Sequence, residues 1–326
     1  MDNVCHTLVG AALGYSGLRR RAPLANATLM IAANLPDLDV LVFATDTPSV
    51  SFRRGWTHGV VAQLLLPVAL TAVMLVVGRR RFAEFGVKRA AGILLLLSYL
   101  GVYSHVLLDY LNTYGLRLLA PIDWRWFYGD TLFIVDPALW VVLGAGVWLS
   151  RRDHSPRPAR IGLAVASLYV VAMLASAQVA RAMVADAWQA QSRTPPAALM
   201  VGPVFANPFE REVIVDAGNR YATGRFSWRS RNVTWGAVLP KSDSGAAVAA
   251  ARQTPAVRAF LVWSRFPYFR AHEEAGGTRV EVGDARFSLN NPLRGPLGRI
   301  RFTASALVPR RAAAAASSGS SRPADR

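Results

Sequence analysis

The stretch Ala90-Ala-Gly-Ile-Leu-Leu-Leu-Leu-Ser-Tyr-Leu-Gly-Val-Tyr-Ser-His105-Val-Leu-Leu-Asp109-Tyr-Leu111 decides the fold. It is an apolar run of the ~20 residues a helix needs to cross the hydrocarbon of a bilayer. Near its end it carries an imidazole and a carboxylate four residues apart. An i, i+4 pair lies on one face of a helix, so His105 and Asp109 are aimed at one point. Ionisable groups in membrane-like sequence are expensive, and their default reading is functional.

Working outward, Gly59–Gly78, Thr131–Ser150 and Ile161–Ala180 also reach spanning length. Val4–Leu18 and Leu24–Ala44 are shorter or more broken, and can be spans, re-entrant segments or interfacial helices. Hydrophobic residues make up 52% of the chain and charged ones 17%, with the apolar share concentrated before residue 185. Four such runs separated by short basic loops point to an integral membrane protein rather than to one buried core.

With 37 Lys and Arg against 20 Asp and Glu, the net charge is +17. Its distribution argues against a nucleic-acid partner. In the first half the positive charge sits in three clusters: Arg19–Arg21, Arg79–Arg81 with Lys88 and Arg89, and Arg151–Arg152 with Arg157 and Arg160. Short Lys/Arg-rich loops stay in the cytoplasm, so these three are expected inside. The N-terminus, Asp37 to His58, Leu111–Asp130 and everything after residue 185 are then expected outside. Met1-Asp-Asn lacks the basic stretch that opens a cleavable signal. The single cysteine, Cys5, excludes an intramolecular disulfide and reads as a small apolar residue before it reads as a ligand.

Three of the five histidines, His6, His58 and His105, lie in or beside apolar segments. The threading puts them on the same side as Asp37, Asp39 and Asp109. A hydrolytic metal site needs neutral imidazoles and carboxylates converging from several elements, with a position left for water. Three nitrogens and three carboxylates exceed what one zinc requires, so one or two divalent ions are expected. His with Asp favours Zn²⁺ or a similar first-row ion. In Asn34-Leu-Pro-Asp-Leu-Asp39 the proline disfavours helix at Leu35, and an extended backbone would point both carboxylates the same way. The plainer account of that stretch is an Asp-capped turn, and of His58 an interfacial loop residue beside Trp56. Asp130 and Asp136 follow as a general base or extra ligand. Arg53, Arg54, Arg117 and Arg125 are placed to hold phosphate oxygens or to anchor in headgroups.

These motifs, with Asn112-Thr-Tyr-Gly115, Leu119-Ala-Pro121 and Ile134-Val-Asp-Pro137, resemble the membrane-bound metal-dependent hydrolases of the YdjM type. The resemblance covers about residues 1–180. That family is distantly similar to zinc-dependent phospholipase C and P1-type nucleases. The likeness implies that His6, Asp37 or Asp39, His58, His105 and Asp109 are metal ligands. This chain departs where those soluble enzymes supply further histidines, since only Asp123, Asp130 and Asp136 follow.

After Trp188 the pattern changes. Gln191–Pro196 reads as a linker, with Pro203 and Pro208 continuing irregular chain. Strand-like alternation follows at Glu212–Asp216, Tyr221–Trp228, Trp235–Leu239, Thr278–Val282 and Arg299–Leu307. Ala246–Arg252 and Pro255–Trp263 read as helices. The expected fold is therefore mainly α. A polytopic helical membrane domain (1–188) is followed by a linker (189–202), a soluble α+β domain (203–309) and a disordered tail (310–326).

The favoured function is a metal-dependent hydrolase in the plasma membrane. Its expected partners are the lipid bilayer and a phospholipid or lipid-linked phosphate substrate. The competing reading is a non-enzymatic membrane protein with a structural His/Asp metal site and a C-terminal binding domain.

Overall fold

The computed structural model describes residues 1–45, 47–288 and 303–309. The chain divides into two compact units. The first comprises Met1–Thr45, Phe52–Ala180 and Gly202–Arg211, and the second takes in Arg181–Val201 and the chain from Glu212 onward.

The first unit is helical. Its elements are α1 (Asn3–Tyr15), α2 (Ala25–Ala32), α4 (Val60–Val77), α5 (Arg79–Phe85), α6 (Val87–Tyr110), α7 (Pro137–Arg152) and the greater part of α8 (Arg157–Ser192); a one-turn α3 (Ser49–Phe52) precedes α4 in the chain, its Ser49–Ser51 belonging to the second unit. Helices α4, α6 and α8 are long and apolar enough to cross a membrane. Leu64, Leu65, Val76, Val77, Leu96 and Leu107 are exposed along α4 and α6, as expected of helices whose solvent is lipid. A further crossing is available if α2 and the 3-10 segment Leu35–Ala44, bent by 52° at Asn34, form one broken span.

Three expectations change in detail. The run Thr131–Ser150 becomes helical only at Pro137, because Asp136 caps α7 by accepting from the Ala138 and Leu139 amides and Pro137 takes the first turn. The 16 residues of α7 span about 24 Å, less than the hydrocarbon. The run Ile161–Ala180 lies inside the 36 residues of α8. In Asn34–Asp39 the proline does not force extended chain. Pro36 sits in the first turn of a 3-10 helix, where its missing N–H costs nothing, and the Arg53 guanidinium reaches both Asp37 and Asp39 from that segment.

Helix α2 is held between α1 and α6 by close backbone approach. A Cβ on Gly10 would stand 2.8 Å from the Leu29 carbonyl oxygen, and one on Gly101 would stand 2.4 Å from the Ala32 Cβ. Leu29, Leu94, Val102 and Leu116 fill the core beneath, and Thr71 of α4 donates to the Ser98 hydroxyl of α6 across 3.3 Å.

The second unit is α+β. Strands β1 (Ala198–Val204), β2 (Asn207–Asp216), β3 (Arg220–Ser227) and β4 (Asn232–Pro240) form one sheet in chain order, with Gly202–Arg211 of β1 and β2 counted in the first unit. Strands β5 (Pro267–Glu274), β6 (Gly277–Asp284) and β7 (Thr303–Val308) form a second. Helices α9 (Ala246–Ala251), α10 (Pro255–Trp263) and α11 (Ala285–Ser288) complete it. Met200, Ile214, Tyr221, Leu239 and Phe266 make its core. The irregular stretch after α8 narrows to residues 193–197. Pro203 is accommodated because β1 is a sheet edge. Of the run Arg299–Leu307, the first four residues lie outside the described ones, as does the tail 310–326.

Candidate metal centre

The cluster is assembled from three places in the first unit. The last two turns of α6 supply His105 and Asp109, the turn before α4 supplies His58, and the 3-10 segment supplies Asp37. Ligand atoms of Asp37, His58, His105 and Asp109 all lie within 4.8 Å of one another. All four residues are buried, Asp37 the least so at 6% exposure.

The two imidazoles face each other through Nε2, 3.2 Å apart. Asp109 Oδ2 is 3.3 Å from His58 Nε2 and 3.5 Å from His105 Nε2. Asp37 Oδ1 is 4.0 Å from His105 Nε2. Ligands held ~2.0–2.1 Å from a tetrahedral zinc stand about 3.3 Å apart, so three of the four atoms already have the spacing of a first-row coordination sphere.

The hydrogen bonds on the far side of each ring assign its tautomer. His105 Nδ1 is 2.8 Å from the Ala33 carbonyl oxygen, which can only accept, so Nδ1 carries the proton. His58 Nδ1 is 2.9 Å from Thr57 Oγ1. That hydroxyl donates to Asp39 Oδ2 across 3.1 Å, so here too Nδ1 donates. Both Nε2 atoms are left with lone pairs pointed at each other and at a carboxylate. Burial pushes the His58 imidazole below its ordinary pKa, which favours the neutral ligating form. Four residues arranged this way can hold a cation.

His6, on the first turns of α1, stacks on His105 with ring centroids 3.8 Å apart. Its Nε2 is 3.3 Å from Asp109 Oδ1, and neither ring nitrogen makes a hydrogen bond. Asp39 stands one layer out. Its Oδ2 accepts from the Arg54 amide at 2.7 Å and from Thr57, and it is 3.8 Å from His58 Nδ1, so it orients the His58 ring.

Arg54 is buried against the cluster. Its Nη2 is 3.0 Å from Asp109 Oδ2, its Nη1 donates to Asn112 Oδ1 at 3.1 Å, and its guanidinium covers the Tyr114 ring. Its backbone is left-handed, with φ of 55°, a conformation in which non-glycine residues are uncommon. The Met1 amine also donates to Asp109 Oδ1.

The remaining candidates do not join the cluster. Asp136 is committed to the α7 cap and to the Tyr169 hydroxyl at 2.9 Å. Asp130, at φ of 49°, offers its backbone carbonyl to Arg211. Arg125 pairs with its neighbour Asp123 and is 76% exposed. Thr57, Asn112 and the Ala33 carbonyl were not anticipated. A hydroxyl beside His58 and an amide three residues past Asp109 were available signals, but a backbone carbonyl leaves none.

A family model described as YdjM inner membrane protein matches residues 1–180, which include every residue of this cluster. The uncharacterized protein YfhP of Bacillus subtilis (strain 168) is 26% identical over 183 residues, covering 52% of this chain and 51% of that protein. The chain thus spans about half the length of the curated relative it matches. No solved structure matches the chain.

Proposed function

The chain belongs to the YdjM inner membrane protein family, and from that premise we propose that it is a metal-dependent hydrolase acting on a phosphoester at the membrane surface. The observation that carries this reading is the pair of imidazole lone pairs 3.2 Å apart beside Asp109, an arrangement that repels unless a cation lies between. His58, His105 and Asp109 would hold the ion, with Asp37 completing the set. The ring of His6, whose nitrogens make no hydrogen bond, offers a nitrogen to a second ion. Zinc suits this donor mixture best.

A bound divalent ion would polarise a phosphoryl oxygen and make water acidic enough to serve as nucleophile near neutral pH. The chain's own groups do the rest. Arg54 would share Asp109 with such an ion and fixes the carboxylate's orientation, while Thr57 and Asp39 fix the ring of His58.

The cluster lies at the start of α4 and the end of α6, whereas Arg79–Arg81, Lys88 and Arg89 lie at the opposite ends of the same two helices. With basic loops inside, the centre belongs to the extracytoplasmic face. A phospholipid or another lipid-linked phosphate is the substrate class that this position favours. The distant likeness of the motifs to zinc-dependent phospholipase C and P1-type nucleases favours the same chemistry.

The test is hydrolysis of a short-chain phospholipid or generic phosphodiester in mixed micelles. Wild type should turn it over in an EDTA-sensitive way, and His58→Ala, still folded, should lose turnover rather than binding alone. No turnover by metal-replete wild type would reject the substrate class.

One observation favours a second reading. The cluster is buried on every residue, as a structural site would be, and the second unit would then carry the function by binding a partner. A metal that exchanges no faster than the protein unfolds, together with no turnover, would select this alternative.

A further inference from the structure

Four arginines come from the loops that surround the cluster, and three are paired with carboxylates. Arg53 pairs with Asp37 and Asp39, Arg54 with Asp109 and Arg125 with Asp123. Arg117 differs. It is only 7% exposed, its Nε has no hydrogen-bond partner, and among the described residues no carboxylate pairs with it. Its guanidinium lies 5.2 Å from the ring centre of Trp124 and 4.7 Å from that of Trp126.

Its place is fixed from the backbone. The Arg117 amide donates to the Arg54 carbonyl at 2.9 Å, and a Cβ on Gly55 would stand 3.6 Å from Arg117 Nη1. The cation therefore borders the turn that carries Arg54 on one side and His58 on the other. Burial pulls its pKa down, and only the Tyr128 phenol opposes that.

A buried cation without a counterion carries an uncompensated desolvation cost. Two indole faces return part of it through cation–π attraction. They also hold the guanidinium plane in one orientation. A planar fork so held is preorganised for a tetrahedral oxyanion, which arginine binds bidentately.

We infer that Arg117, clamped by Trp124 and Trp126, is the anion-binding residue of this centre and takes the phosphate group of the ligand. The inference rests on the phosphoester reading and names the residue that recognises the substrate.

The test is calorimetric titration of the full chain in detergent with inorganic phosphate, with dihexanoyl phosphatidate, and with dihexanoylglycerol as the phosphate-free control. Wild type should bind a phosphate-bearing probe and not the control. Binding of phosphatidate alone identifies a lipid headgroup as the source, and binding of inorganic phosphate alone identifies the free ion. Arg117→Ala should weaken binding by about tenfold or more, the scale of a lost charged hydrogen bond, with metal content unchanged. Arg117→Met keeps an apolar stem between the indoles and carries the test if the alanine variant does not fold.

Wild-type affinity in either folded variant, or no binding of either phosphate probe to wild type, overturns the assignment. Metal content and hydrolysis measured on the same preparations separate the two claims. Phosphate binding through Arg117 in a chain that holds no metal would remove the hydrolase and leave the anion site. Hydrolysis with wild-type KM in Arg117→Met would do the reverse.

Discussion

His58 and His105 approach nose to nose, Nε2 to Nε2 at 3.2 Å, although each ring's proton is held at the opposite nitrogen. Thr57 takes that proton's hydrogen bond on one side and the Ala33 carbonyl on the other. Ordinary packing does not produce such a contact, because two lone pairs and a carboxylate converge with nothing positive between the two rings. A metal ligand whose outer nitrogen is hydrogen-bonded to a fixed acceptor is the usual device for aiming an imidazole.

If that outer hydrogen bond aims His58, then Thr57→Val should weaken metal binding without unfolding the chain. The expected loss is about 10- to 100-fold, the usual effect of deleting an outer-layer partner. Competition against a chelator of known affinity measures it. Unchanged affinity with intact helicity would mean that the Thr57–Asp39 pair does not set the tautomer of His58.

Topology can be checked independently of chemistry. A periplasm-active reporter should be inactive when fused at Arg81 or Arg152 and active when fused after residue 190. The basic second unit does not oppose this, since long domains translocate largely regardless of charge. Activity at Arg81 with silence after residue 190 would place the metal centre on the cytoplasmic side.

The second unit has its own buried ion pair. Asp284, fully buried, accepts from Ser264 Oγ at 2.7 Å, from the Arg265 and Phe266 amides, and from Arg286 Nε at 2.9 Å. Burial by itself pushes this carboxyl's pKa up. The Arg286 guanidinium and the hydrogen bonds outweigh that and hold it below the ordinary range. A folded-state pKa below the unfolded value stabilises the fold above the unfolded pKa, and the contribution is lost as pH falls through the folded one. Asp284→Ala should therefore destabilise this unit by about 3–5 kcal/mol at neutral pH, the cost of stranding a buried partner. The gap from wild type should narrow in acid. Thermal unfolding of the full chain, followed by near-UV dichroism from Trp263 beside Arg286, checks both the sign and the pH window.

Much of this was legible in the chain. His105 and Asp109 are four apart on an unbroken apolar helix, so their shared direction followed from helix geometry alone. His58 was legible for a different reason, since the expected threading put it on the same side as His105 and Asp109, although an interfacial loop residue beside Trp56 remained the plainer account. Asp37 and Asp39 were found, but their roles were not separable. Whether two carboxylates share a face depends on the backbone, and Pro36 starts a 3-10 turn rather than an extended strand. Asp136 drew attention as a carboxylate near the site, and its Asp-Pro sequence was in fact a helix-start signal. Arg53, Arg54, Arg117 and Arg125 were indistinguishable as arginines. What separates them is which carboxylate each one reaches, a tertiary property. β1 was hidden by Pro203, which only an edge strand tolerates.

The central claim is that His58, His105, Asp109 and Asp37 hold a divalent ion. It is tested most directly by counting metal in purified protein by inductively coupled plasma mass spectrometry. Wild type prepared in detergent without chelator should carry at least about one equivalent of a first-row ion, zinc foremost, as a closed set of His and Asp donors would retain. His105→Ala combined with Asp109→Ala should lose it, while His154→Ala and His272→Ala, outside the cluster, should not. Full occupancy in the double variant, or a wild type that takes up no metal even after equilibration with zinc, would contradict the account.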